Sequence, residues 1–333
     1  MTIRTTMADV ARESGVSLMT VSRVINGKAD VSEETRQRVL EVIDRLNYRP
    51  SGIARSLATR RTGTLGLVVP DISNPFFSDV ARGVTTEAYR EDYNVFLCSS
   101  EEDGRRELDL LYSLEEKRID GLILCSSRQA DDVLAATLAH FPSAVLVNRR
   151  SRNPKVGTVL ADDEAGARLL MAHLLGNGHR SIGFLAGPSM SHSGSARLCG
   201  YRAALAAAGL PREDELVQHC APVVSGGLNA ALALLRAQPR ISALFCYNDL
   251  VAIGALQACA QLGWRVPNDV AVTGFDDVPL AALVTPPLTT CCVPRYELGV
   301  RATQLLLTRI DGRHGEYYEA VVPVEMVVRA SAP

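Results

Sequence analysis

The run TMADVARESGVSLMTVSRVING, residues 6–27, decides the architecture of the head of this chain. Thr6 is placed to cap a short helix over MADVARES, in which Ala8, Val10 and Ala11 sit at helical spacing. Gly15, which tolerates positive φ, ends that helix. Val16 then points inward, and Ser17 caps a second helix, LMTVSRVI, whose buried stripe is Val21, Val24 and Ile25. Leu18, Met19, Ser22, Arg23 and Asn26 are left near or on the exposed face. Ser32 caps a third helix, EETRQRVLEVIDRL, with Glu33 and Glu34 in the first turn where the helix dipole favours them. Two short helices joined by a tight glycine turn, with a third behind them, read as a helix-turn-helix unit. The second helix of such a unit enters the DNA major groove, led by its N-terminal residues. A plain three-helix bundle is the alternative.

Charge agrees with a polyanion partner at this end. Residues 1–62 carry eleven Arg or Lys against seven Asp or Glu, whereas the remainder carries 24 against 30. The N-terminus lacks the apolar stretch of a secretory signal, and no run approaches the apolar length of a membrane helix. The expectation is a soluble, cytoplasmic protein. Eight cysteines (Cys98, Cys125, Cys199, Cys220, Cys246, Cys259, Cys291, Cys292) form no CxxC pair or zinc spacing and read as buried and reduced. No phosphate loop, GxSxG elbow or HExxH run is present, so catalysis, a cofactor and a metal are not expected.

From residue 63 the pattern changes to strand-like runs alternating with helical ones. TLGLVVP, NVFLCSS, DGLILCS, SAVLVN, GTVLAD, SIGFLAG, ALFCYN and VAVTGFD are the strands. Near-continuous apolar strands alternating with helices predict parallel, doubly wound sheets, and there are enough strands for two. Ligands of such folds sit beyond the carboxyl ends of strands. Four loops there stand out. DISNPFFSDV offers Phe76 and Phe77 as exposed loop aromatics beside Asp71 and Asn74, although a Phe-Phe pair is also ordinary core. GPSMSHSGSARLCGYRAAL has Arg197 opening a helix. The third holds Asn248 and Asp249, the fourth Asp276 and Asp277. One arginine with several carboxylate and amide groups suits a ligand rich in hydroxyls, while aromatics suit a sugar's apolar face or a flat base.

The motifs VSxxTVSRVING, VSEETRxRV and NYRPxxxARSL, followed by VPDISNPFF, RIDGLIL, NGHRSIGFLAGP, SARLCGYRAAL, NDLVAIGAL, VPNDVAVTGFDD and PPLTT, run through essentially the whole chain. The sequence resembles the lactose-repressor (LacI/GalR) family of transcription regulators. The resemblance implies an α/β effector domain of two doubly wound parallel-sheet lobes, like type I periplasmic binding proteins, behind an N-terminal all-α helix-turn-helix domain. It sets the helix-turn-helix domain at 1–50, a hinge helix at 51–62 and an effector-binding and dimerisation domain at 63–333. The first lobe covers about 63–162 and 293–322, the second about 163–292 and 323–333, with crossings near 162, 292 and 322. Leu18 and Met19 fall at positions that choose operator sequence, and Arg23 at a third. Thr6, Ser17, Thr20, Ser22 and Asn26 fall where phosphate contact or packing is expected. Leu57 matches a minor-groove wedge and Arg55 its neighbour. Arg197 and Asp276 match effector contacts, followed by Asp71, Asn74, Phe76, Phe77, Asn148 and Asn248. Two positions depart from the family pattern: Asn148, where aspartate is common, and Asp162-Asp163, where Asp-Asn is common. The implied partners are a pseudo-palindromic DNA operator, a small effector of the sugar class and a second copy of the chain, without a membrane. The tail after Arg329 lacks a leucine heptad, which favours a dimer. Repression is the expected direction, and a purine- or nucleoside-responsive regulator, possibly corepressed, shares every one of these features.

Overall fold

The computed structural model describes residues 5–25, 27–48, 61–312 and 319–333. The chain divides into two compact units, Met1–Thr62 and Gly63–Pro333.

In the first unit α1 (Met7–Ser14), α2 (Leu18–Ile25) and α3 (Glu33–Arg45) pack around Val10, Ala11, Val21, Val24, Val39, Val42 and Tyr48. Thr6 Oγ1 accepts from the Asp9 N–H at 3.4 Å while Asp9 Oδ2 accepts from the Thr6 N–H at 3.0 Å, a reciprocal box that starts α1. Gly15 ends it at φ 67°. Ser17 Oγ accepts from the Thr20 N–H at 3.1 Å, and Ser32 Oγ from the Thr35 N–H at 3.4 Å. The expected apolar face needs a correction. Ala8 is exposed, and Ser14 is buried with its hydroxyl donating to Val10 O at 2.6 Å. The stripe is Met7, Val10, Ala11 and Ser14, the i, i+3, i+4, i+7 set from which residue 8 falls away. Ile25 is half-buried rather than buried. Of the hinge helix expected over 51–62, only residues 61 and 62 lie within the described residues.

The second unit begins with β1 (Thr64–Val69), α4 (Pro75–Arg90), β2 (Asn94–Ser99), α5 (Gly104–Glu116), β3 (Gly121–Cys125), α6 (Asp131–Leu138), β4 (Ala144–Val147) and β5 (Gly157–Ala161). It continues with α7 (Asp163–Gly176), β6 (Ile182–Leu185), α8 (His192–Ala207), β7 (Val217–Gln218), α9 (Val224–Ala237), β8 (Ala243–Cys246), α10 (Asp249–Leu262), β9 (Ala271–Thr273) and β10 (Thr290–Cys292). It ends with α11 (Arg295–Ile310), β11 (Glu319–Val322) and β12 (Glu325–Val327).

Six strands form one parallel sheet in the order β11-β5-β4-β3-β1-β2, and four form another in the order β7-β6-β8-β9. The strands GLILC and GTVLA are buried along their whole length, which is what helices on both faces of a parallel sheet require. In each sheet the winding reverses once, between β1 and β3 in the first and between β6 and β8 in the second. The loops leaving those strands are where an open α/β sheet holds a ligand.

The chain crosses between the sheets after β5, after β10 and after β11. The late run YEAVVPVEMVV is divided. Glu319–Val322 pairs with β5, whereas Glu325–Val327 pairs antiparallel with β10. Pro323 stands between them and has no N–H for a ladder. Of the small residues that follow, Ser331 and Ala332 are buried. Ser331 O accepts from the Val272 N–H at 3.0 Å, Ser331 Oγ donates to Val272 O at 2.6 Å, and the Ser331 N–H donates to Pro287 O at 2.9 Å. The short β7 and β10 carry no strong strand pattern and were not expected. The cysteines also depart from the expectation, since Cys199 is exposed and Cys98, Cys220 and Cys292 are only half-buried.

Candidate functional site

Two surfaces concern function, one in each unit. On the first, α2 exposes Leu18 (52%) and Met19 (65%) at its N-terminal end. Their positions follow from the cap: Ser17 Oγ holds the Thr20 N–H and lies 3.0 Å from Thr20 Oγ1, so both polar groups are engaged within the helix start. Arg23 is exposed, 3.4 Å from Asp30, an ion pair of little strength in water that leaves the guanidinium free to exchange partners. Thr6 is engaged in its capping box and Ser22 is half-buried. Asn26, Arg55 and Leu57 lie outside the described residues.

On the second unit a cleft of about 330 Å³ is lined from both sheets. The first lobe supplies Asn74, Phe76, Phe77, Glu102, Ser126, Arg128 and Asn148. The second supplies Ser193, Arg197, Pro222, Tyr247, Asn248 and Asp276. Most of these leave strands flanking the two winding reversals. Glu102 (φ 60°), Ser126 (φ 47°), Asn148 (φ 53°) and Asp276 (φ 105°) hold left-handed backbone without being glycine, at a cost of about 1–3 kcal/mol each. Such strain gathered around one cleft marks a place where side-chain direction matters more than backbone comfort.

Seven of the eight expected effector contacts line this cleft, and Asp71 does not. Asp71 Oδ1 accepts from the Ser73 N–H at 2.8 Å and from Ser73 Oγ at 2.7 Å, so its carboxylate shapes the turn before α4. Phe76 and Phe77 are not exposed loop aromatics. Asn74 Oδ1 caps α4 by accepting from the Phe76 N–H at 3.0 Å, which draws both rings into its first turn at 4% and 6% exposure. The rings meet edge to face, 5.0 Å apart. Arg197 does not open its helix either, since Ser191 caps α8 and Arg197 stands in the second turn.

Arg197 is 3% exposed and fully engaged. Asp163 Oδ1 lies 2.9 Å from Nε and 2.7 Å from Nη2, Asp276 Oδ1 lies 3.3 Å from Nη2, and Nη1 donates to Tyr247 O. The Phe275 ring centroid is 3.7 Å from its Cζ. Burial pushes the Asp276 carboxyl up to about 7; Arg197 opposes the rise and Asp163 adds to it. Arg295 steadies the same loop by donating to the carbonyls of Asp276 and Asp277 while pairing with Asp79 at 3.1 Å. Asn148 Oδ1 accepts from the Ala161 N–H at 3.0 Å, and Asn248 caps α10 through Val251 N–H at 2.8 Å while donating to Pro222 O.

Sequence reasoning missed Arg128, Glu102, Ser126, Ser193 and Tyr247. Arg128 is gripped by Glu102 at 2.7 and 3.1 Å and also bonds the Tyr247 side chain from the facing lobe. Tyr247 Oη lies 3.0 Å from Ser191 Oγ. Ser193 Oγ is buried without a partner, a vacant hydrogen-bonding position that a ligand can fill. Strand-end placement is the one signal that points to these residues. Among the described residues no group of three or more His, Cys, Asp or Glu is arranged to hold a metal, and no helix is long and apolar enough to cross a membrane.

Residues 6–51 match the family model for bacterial regulatory proteins of the lacI family. Residues 62–326 match that for periplasmic binding proteins and the sugar-binding domain of the LacI family. The chain is 36% identical over 329 residues to a ribose operon repressor of Haemophilus influenzae, with 98% of each chain covered. It is 35% identical to the HTH-type transcriptional repressor PurR of Photobacterium profundum, again over 98% of each. A crystal structure of the lac repressor dimer bound to operator and the anti-inducer ONPF superposes with a TM-score of 0.88 at 26% identity, covering 99% of both chains.

Proposed function

The chain belongs to the lacI family of bacterial regulatory proteins, and from that premise we propose that it is a cytoplasmic, homodimeric repressor whose hold on a pseudo-palindromic operator is set by a sugar in the cleft. The observation that carries the sugar reading is Arg197, held between Asp163 and Asp276, beside a vacant Ser193 hydroxyl and the Phe76 ring. Hydroxyl-rich ligands satisfy such a wall of fixed acceptors and donors, and the ring covers their apolar face. No catalytic step is assigned to it.

In this reading Leu18 and Met19 meet thymine methyl groups, Arg23 meets guanine, and Thr6, Ser17, Thr20, Ser22 and Asn26 locate the head on the backbone. Leu57 and Arg55 act at the minor groove. Effector bound by both lobes draws them together and changes the spacing of the paired first lobes, and that spacing permits or denies the minor-groove contact. The coupling is reciprocal, so DNA changes effector affinity by the same factor. Exposed Phe96 and Leu97 on the first lobe and Leu280 and Leu283 on the second supply apolar surface for the dimer.

A purine is the second reading. It is favoured by the similarity to PurR, within one percentage point of identity of that to the ribose operon repressor, and by aromatic rings on the cleft wall. Thermal unfolding of the full chain against sugars, purine bases and nucleosides separates the two, because a ligand of the folded state raises the midpoint. A saturable rise with a sugar is expected. Ser193→Ala should weaken that ligand about three- to tenfold, the worth of one hydrogen bond, without destabilising the free protein. A rise with purines alone moves the assignment to the second reading.

A further inference from the structure

Every arginine at or just behind the cleft already has its own carboxylate. Arg128 is paired with Glu102, Arg149 with Asp131 at 2.7 Å, Arg150 with Glu319 at 3.1 Å, and Arg295 with Asp79. Arg197 has two, Asp276 on the cleft wall and Asp163 behind it. At the cleft itself the guanidinium groups of Arg128 and Arg197 lie with the carboxyl groups of Glu102 and Asp276, and Asp163 holds Arg197 from behind. The groups left for a ligand are the uncharged hydroxyls of Ser126 and Ser193 and amide nitrogens of Asn74 and Asn148, together with the second carboxyl oxygen of Asp276.

We propose that Asp163 sets the charge class of the ligand: by holding the Arg197 guanidinium from behind, it restricts the cleft to uncharged, hydroxyl-rich molecules and turns away phosphorylated and acidic ones. The inference rests on the effector reading of this cleft and narrows it. A phosphate or carboxylate entering here loses its hydration, meets no uncommitted cation and lies beside the Asp276 carboxylate, so its desolvation goes uncompensated. An uncharged polyol loses far less water and bonds the vacant hydroxyl and amide groups directly. Asparagine at 163 keeps the size of the side chain but releases Arg197 from one of its two anions.

The test uses the full-length protein and inorganic phosphate, compared in wild type, Asp163→Asn and Asp163→Glu by calorimetric titration. Phosphate bound by the DNA-binding head is common to all three, so the difference reports the cleft. Asp163→Asn should bind phosphate at least tenfold more tightly than wild type, and Asp163→Glu should behave as wild type. Equal phosphate binding in wild type and Asp163→Asn overturns the proposal. A second arm needs only wild type: ribose against ribose 5-phosphate and galactose against galacturonate, by thermal unfolding. An anionic member that stabilises wild type more than its uncharged counterpart overturns the proposal even if Asp163→Asn does not fold. A gain of phosphate binding in Asp163→Asn with no stabilisation by any sugar leaves the charge rule standing and removes the sugar reading instead.

Discussion

Asp276 is the residue whose environment has the widest consequence. Its carboxyl is raised from 3.8 to about 7, chiefly by burial, among Arg197, Asp163, Arg295 and the buried Asp249. A group whose folded-state value is raised gives stability that is complete below its unfolded value and is lost as pH rises through the folded one. The window therefore runs from about pH 4 to about pH 7, and the loss is at most about 4 kcal/mol. Asp276→Asn should show a flatter midpoint of thermal unfolding across that window than wild type. Some slope remains, because Asp249 is raised in the same direction by its own burial. Residues of this kind were legible in the sequence where they follow a strong strand: Arg197, Asn248 and Asp276 all do. Glu102 and Arg128 also leave strands, yet their significance is a pairing across 26 positions of sequence that no local pattern announces. Phe76 and Phe77 read as loop aromatics after the first strand, whereas Pro75 stands in the first turn of α4 and carries both rings into the helix.

Elements meet most closely where glycine permits it. A Cβ on Gly254 of α10 would lie 2.1 Å from Val224 O, and one on Gly227 of α9 would lie 2.2 Å from Val251 O, so these two helices touch backbone to backbone. Gly254→Ala should destabilise the second unit by about 1–3 kcal/mol or more, measured by chemical unfolding, because backbone must move. Gly176→Ala, with nothing within 4 Å of the added carbon, should be neutral or slightly stabilising. Equal effects would mean that the helix pair yields easily. The fully buried strands and most of the helices were readable from period and run length, but α6 and α9 were not singled out. The strands that escaped were short or interrupted: β7 has two residues, β10 has three, and Pro323 divides what the apolar run presents as one strand. Their pairing is set by partners far away in the chain, which a local period does not encode.

For the whole molecule the basic head and acidic body were visible as a charge asymmetry, and the paired sheets as a count of strands. The return of the last residues to both lobes was only partly visible. β11 completes the edge of the first sheet beside β5, and Ser331 bonds Val272 at the edge of the second. Both closures bring residues 319–331 onto strands that precede them by up to about 160 positions. On a ribosome this order becomes a schedule. The head has its core within residues 10–48 and can fold while the rest is still being translated, at about 5–20 residues per second. The first sheet cannot be sealed until Val322 has left the exit tunnel, nor the second until Ser331 has. Stalled nascent chains ending at residue 312 should protect the head from brief proteolysis and leave the second unit open to cleavage. Chains extended past residue 333 by a tunnel-spanning linker should protect both. Until residues 319–331 emerge, the edges of both sheets that these residues close remain open to nascent-chain chaperones.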